Sequence, residues 1–81
     1  MDYHVLEARH IAGYTVWLRF RDGTSGEVDL TPVLESEALK GLRDPERFRR
    51  FAVDPQFRTL VWPGGEDVAP EYLHDNIRVT T

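Results

Sequence analysis

Tyr14-Thr15-Val16-Trp17-Leu18-Arg19-Phe20 alternates between two sets of side chains with a period of two, which fits a strand and not a helix. Tyr14, Val16, Leu18 and Phe20 share one face, and Thr15, Trp17 and Arg19 share the other. Asp22-Gly23 follows at once, a strong hairpin signal, and leads into Ser25 to Leu30, where Val28 and Leu30 face inward while Glu27 and Asp29 face out. Gly13 permits a turn on the other side. Residues 3 to 12 read as the first strand, but Tyr3, Val5 and Ile11 share a parity with Glu7 and Arg9, and Leu6, Ala8 and Ala12 share theirs with His4 and His10. A bulge that shifts the register partway reconciles the two halves. The expectation is a three-stranded antiparallel meander at the N-terminus.

The rest of the chain carries shorter signals. Thr31-Pro32 reads as an N-cap and first-turn proline opening a short helix over Val33-Leu34-Glu35. Residues 36 to 42 continue it or form a second turn, with Leu39 and Leu42 on one side and Gly41 weakening the helix. Asp44-Pro45-Glu46 repeats the cap-then-proline pattern, and the predicted helix runs through Phe48 and Phe51 with Arg47, Arg49 and Arg50 on its remaining surface. A short strand at Phe51-Ala52-Val53 precedes an Asp54-Pro55 turn, and Arg58 to Trp62 forms a later strand whose pairing the sequence leaves open. Pro63 then stops the ladder and Gly64-Gly65 supplies positive-φ freedom for a reversal. Asp67-Val68-Ala69 brings the chain back to a helix opened by Pro70, with Tyr72 and Leu73 turned inward. The tail, His74 to Thr81, reads as a frayed end or a small edge strand. The expected class is α+β: a mostly antiparallel sheet, the meander plus later short strands, with two or three short helices.

Eighty-one residues make one domain, 1–81, with no room for a second core. Such a chain buries roughly 60 to 65% of the surface it exposes when unfolded, so its stability is modest and a partner or second copy matters. The absence of cysteine excludes disulfides, thiolate metal sites and cysteine nucleophiles. The start of the chain lacks a basic region followed by an apolar one, and no apolar run approaches bilayer length; the expectation is a soluble, cytoplasmic protein that is not exported and meets no membrane. A net charge of −4 disfavours non-specific nucleic-acid binding by the whole molecule. Residues 41 to 60, however, hold five arginines against three acids.

The ordered set Phe20-Arg21-Asp22-Gly23, Val28-Asp29-Leu30, Leu42-Arg43-Asp44-Pro45 with Phe48, then Trp62-Pro63-Gly64-Gly65 with Asp67 and Pro70-Glu71-Tyr72-Leu73, resembles the small bacterial and phage family known as domain of unknown function 2442. Its structural prototype is the N-terminal domain of a two-domain protein with a C-terminal DNA-binding helix-turn-helix. The resemblance covers about residues 5 to 74. It implies an α+β fold, and it implies that some relatives are the antitoxin side of toxin–antitoxin-like pairs; it carries over no catalytic residue. This chain lacks a helix-turn-helix after residue 74, so that appendage's DNA-binding role is not expected here. Ala69 stands where a capping Asp or Ser is usual before Pro70-Glu71, which weakens the last helix.

Several residues invite a chemical reading. His4 and His10, with Asp2 near them in parity, match no metal-ligand spacing and read as histidines on an edge strand, so no metal and no cofactor is expected. Asp22, Glu27 and Asp29, with Ser25, gather around the hairpin; as an enzyme site they would need a pocket and a raised carboxyl, whereas Asp22 reads as a turn residue, Glu27 and Asp29 as the wet face of a strand, and Asp29 as an acceptor for the turn that follows. Arg43, Arg47, Arg49, Arg50 and Arg58, interleaved with Phe48, Phe51 and Phe57, suit a phosphate-contacting surface or an acidic protein partner; the plainer reading makes the phenylalanines core and the arginines a solvated face. Trp17 stands opposite the inward residues, either covered by later helices or marking a contact site. The preferred expectation is a non-enzymatic interaction module binding a small toxin-like protein, and itself as a homodimer, through Trp17, Arg19, Arg47, Arg49, Arg50 and Arg58. Nucleic-acid binding through the arginines and an enzyme using the carboxylates are the alternatives.

Overall fold

The computed structural model describes residues 3–79, with the side chain of residue 79 left aside. The N-terminal half is the expected meander. Strands β1 (Val5–Ala12), β2 (Thr15–Phe20) and β3 (Ser25–Asp29) pair antiparallel in sequence order. The parity conflict in β1 is resolved by two register shifts, between Val5 and Glu7 and between His10 and Ala12. The first shift brings Ala8 to the inner face opposite Leu18, and the second leaves Ala12 opposite Thr15 on the outer face. At the second hairpin Gly23 adopts φ 93° and Asp22 Oδ1 accepts from Thr24 N–H at 2.9 Å, so both residues of the Asp-Gly signal serve the turn.

Residues 30–77 cross one face of this sheet. Asp29, not Thr31, organises the first crossing turn: its Oδ1 accepts the backbone N–H of Thr31 at 2.9 Å and the Thr31 hydroxyl at 2.7 Å. The predicted cap at Thr31 is thereby corrected, since Thr31 is already the first residue of the turn and Leu30, which has no capping side chain, holds the cap position. The segment Thr31–Glu35 is a 3-10 turn preceded by Leu30, with Lys40–Arg43 a second one. Asp44 does cap the next helix, accepting from Glu46 N–H at 3.0 Å. That helix, α1, spans only Pro45–Phe48. Phe51 lies beyond it, and Arg49 and Arg50 sit in the turn that follows, so no long arginine-bearing helix exists.

Strands β4 (Ala52–Val53) and β5 (Leu60–Val61) pair with each other in a separate two-stranded sheet. The loop between them is built by Asp54, whose carboxylate accepts from Gln56 N–H at 2.7 Å and Phe57 N–H at 2.9 Å. Arg58 closes it with φ 58°, a left-handed conformation that cannot continue a strand, which is why the predicted strand from Arg58 begins two residues late. After Trp62 the chain reverses: Gly65 takes φ 92°, and Asp67 bridges back to Val61. At Gly64 a Cβ would stand 2.6 Å from Glu66 Oε1, so a larger residue there would require the Glu66 side chain to shift. Helix α2 (Pro70–Asp75) starts from Ala69 with no side-chain cap, as its sequence implies. β6 (Arg78–Val79) then pairs with β3, giving the order β1-β2-β3-β6 and making the tail an edge strand up to residue 79; Thr80 and Thr81 lie outside the described residues.

One core joins these parts. Val5, Val16, Leu18, Phe20, Val28 and Leu30 from the inner sheet face meet Leu34, Leu39, Leu42, Phe48, Leu60, Trp62, Val68 and Leu73 from the crossing segments. Phe48 is its hub, with Tyr14, Trp62 and Phe51 at ring-centroid distances of 5.1, 5.9 and 6.2 Å. Two polar side chains drawn in find partners, Trp62 Nε1 donating to Phe48 O at 2.7 Å and Thr59 Oγ1 to Val68 O at 2.5 Å, whereas Glu66 Oε1 is buried without a hydrogen-bond partner among the described residues. The Tyr14 hydroxyl donates to Arg43 O. The fold is α+β, a mostly antiparallel sheet with short helices on one side. No helix among the described residues is long and apolar enough to cross a membrane.

Candidate functional site

The pairings run a single row across the outer face of the sheet: Arg9 opposite Trp17, Trp17 opposite Glu27, and Glu27 opposite Arg78. Beside it lies a second row, Glu7 opposite Arg19 and Arg19 opposite Ser25. None of these residues belongs to the core cluster, whose members from the crossing segments pack on the inner face. Trp17 is therefore not covered by the later helices. Its ring is half-buried, with the Arg9 guanidinium carbon 5.6 Å from the ring centroid. A face of this kind offers an aromatic centre flanked by charges of both signs, chemistry suited to a protein surface. Trp17 and Arg19 are thus brought together, on adjacent positions of one open face.

Of the arginines, Arg47 and Arg50 meet at one groove while Arg43 and Arg58 lie elsewhere. Arg47 lies 3.5 Å from Glu66 Oε2 and, with Arg50, borders a groove of about 280 Å³ lined by Leu42, Trp62 and Pro63. Arg49 stands in the adjoining turn, while Arg58 borders a different groove beside β1, with Val5 and Leu6. Arg43 is engaged by Leu34 O at 3.0 Å and Glu35 Oε2 at 2.9 Å. Phe48 is core and Phe51 half-buried, leaving only Phe57 exposed among the interleaved aromatics. The predicted stripe dissolves because the chain turns twice within it.

The carboxylates also part company. Glu27 and Asp29 border a notch of about 260 Å³, where β6 ends along β3, together with Thr15, Tyr72, Asn76 and Arg78. Asp22 is at the hairpin tip, away from that notch, and its Oδ2 lies 2.9 Å from His74 Nε2. The Asp22 carboxyl is held below the ordinary carboxylate range, first by the Thr24 backbone N–H and then by the His74 side chain. Asp29 is lowered as well, chiefly by the Thr31 hydroxyl and then its backbone N–H. Both aspartates are fixed as anions, the opposite of the raised carboxyl a general acid needs.

Sequence reasoning missed the Asp22–His74 pair. Its partners are 52 positions apart, and its only local sign is the turn residue Asp22. His74 is walled by Tyr3 and Phe20, each 4.9 Å away between ring centroids. His10, by contrast, turns inward toward Phe48 at 6.2 Å, with Nε2 2.9 Å from Gly13 O. Among the described residues no group of three or more His, Cys, Asp or Glu could hold a metal ion; Asp2 lies outside them.

The family described as "Protein of unknown function (DUF2442)" matches residues 5–79, nearly the whole chain, and the chain belongs to it. No curated protein and no solved structure matches the chain.

Proposed function

We propose that this member of the DUF2442 family is a non-enzymatic, cytoplasmic interaction module that holds a small toxin-like protein against the outer face of its sheet, in the manner of an antitoxin. The observation that carries the reading is the open face itself: four strands present Trp17 among Arg9, Arg19, Glu27 and Arg78, outside the core cluster, and α2 approaches at the rim, where Tyr72 lines the notch beside Glu27 and Arg78. A large aromatic ring left half-exposed at the middle of a sheet gains from a partner that completes its burial, and central aromatic and arginine side chains dominate protein–protein affinities. The separation of Asp22 from Glu27 and Asp29, with the lowered protonation of Asp22 and Asp29, gives an enzymatic reading no comparable support.

Affinity purification from the native host, followed by mass spectrometry, tests the proposal when wild type and the Trp17→Ala chain are run in parallel. Stoichiometric recovery of a small protein with wild type and its loss with Trp17→Ala supports it. Recovery of the wild-type chain by itself, or equal recovery of the partner with both chains, overturns it.

A further inference from the structure

We propose that β1 is a docking edge for a second copy of this chain, the two β1 strands pairing antiparallel about a two-fold axis at Ala8 so that two four-stranded sheets become one. The inference concerns the edge of the sheet and stands independently of the partner assigned to its open face.

The direction of the backbone groups fixes where such pairing can occur. Leu30 N–H donates to Tyr14 O at 2.9 Å and Phe20 N–H to Thr24 O at 2.8 Å, so the even-numbered residues of β2 bond β3. Arg21 N–H donates to His4 O at 2.8 Å on the other side, so the odd-numbered ones bond β1. Glu7 and Arg9 stand opposite Arg19 and Trp17, and their backbone groups therefore face β2. Those of Ala8 and His10 point away from the sheet. Among the described residues, the backbone bond to this edge comes at its start, where Val5 N–H donates to Arg58 O at 3.0 Å. The opposite edge of the sheet, among the described residues, is the two-residue β6.

Charge then selects the register. Two-fold registers that match outward backbone groups differ by steps that move the axis one residue along the strand. An axis at Glu7 sets Glu7 against its own copy, and an axis at Arg9 sets Arg9 against its own copy; like charges directly opposite are destabilising. With the axis at Ala8, Glu7 of one copy faces Arg9 of the other, twice. The two register shifts limit the regular stretch to residues 7–10, and they leave Leu6 and Ile11 at its ends, 43% and 48% exposed. This same register brings Ile11 toward Val5 of the second copy, whose N–H is already held by Arg58 O, beside the groove of about 410 Å³ that Val5 and Leu6 share with Val53, Asp54, Pro55 and Arg58.

Sedimentation of the whole chain over a concentration series tests the pairing. Wild type is expected to approach twice the 9.4 kDa chain mass as concentration rises. Glu7→Arg and Arg9→Glu, each now repelling its own copy, dimerise at least about tenfold more weakly. Mixing these two chains restores the dimer as a heterodimer, and the double variant Glu7→Arg/Arg9→Glu restores it as a homodimer. Ala8→Pro removes the central outward N–H and leaves the β2 ladder intact, giving a monomer whose circular dichroism matches wild type. A wild-type chain that stays monomeric at every concentration overturns the inference, as does a dimer indifferent to both charge reversals and to Ala8→Pro.

Discussion

On the inner face of the four-stranded sheet Val16, Leu18, Phe20, Val28 and Leu30 are each no more than 1% exposed, whereas one step along the same strands Trp17 and Glu27 are half-buried and Arg19 is exposed. The alternation of a single strand has divided the side chains by task. Those turned inward meet Phe48, Leu42 and Leu73 and hold the domain together, and those turned outward meet nothing of comparable size. Periodicity identifies which residues share a face, but only the packing of the other elements decides which face remains available to another molecule.

The largest break in this comparison comes from the inner hub. Phe48→Ala removes the ring that joins Tyr14, Phe51 and Trp62, and costs about 3 to 5 kcal/mol in urea unfolding. A smaller loss follows from Thr59→Val, which leaves a buried carbonyl of Val68 without its donor and costs about 1 to 3 kcal/mol by the same measurement. On the boundary of the inner layer the effect reverses in sign. Ala69→Asp gives α2 the cap it lacks and raises stability by about 1 kcal/mol, read as an increased melting temperature.

The smallest effect belongs to the exposed aspartates. Asp22 and Asp29 are lowered in the folded chain, so each contributes stability that is present above the ordinary unfolded value and is lost as pH falls through the lower folded value. Acid titration of stability is expected to decline within that window. In the Asp29→Asn variant the decline is shallower, because one of the two lowered groups is gone.

The meander was legible because each of its strands carries either a clean alternation or a parity conflict that a bulge explains, and Gly13 and Asp22-Gly23 mark both hairpins. The segment from Phe48 to Trp62 was not. Its helix is a single turn and its strands have two residues each, lengths at which neither period repeats. Phe48 and Phe51 are three apart as on a helix, yet Phe48 is the last residue of α1 and Phe51 lies beyond the turn that follows. Arg58 has no sequence mark of its left-handed conformation, since that role more often falls to glycine or asparagine. Of the candidate contacts, Trp17 and Arg19 were foreseeable as neighbours on one strand, while the arginines between 47 and 58 were grouped by sequence proximity that the turns undo. The Asp22–His74 pair depends on where α2 docks, a long-range event with no local signature.

Parallel urea unfolding of Leu18→Ala and Trp17→Ala, adjacent residues on opposite faces of β2, tests the division of the sheet most directly. The expected result is a loss of about 2 to 5 kcal/mol for Leu18→Ala and a clearly smaller loss for Trp17→Ala, whose half-buried ring lies outside the core cluster beside the Arg9 guanidinium. Equal losses at the two positions would contradict the account, because Trp17 would then be holding the domain together instead of standing open to a partner.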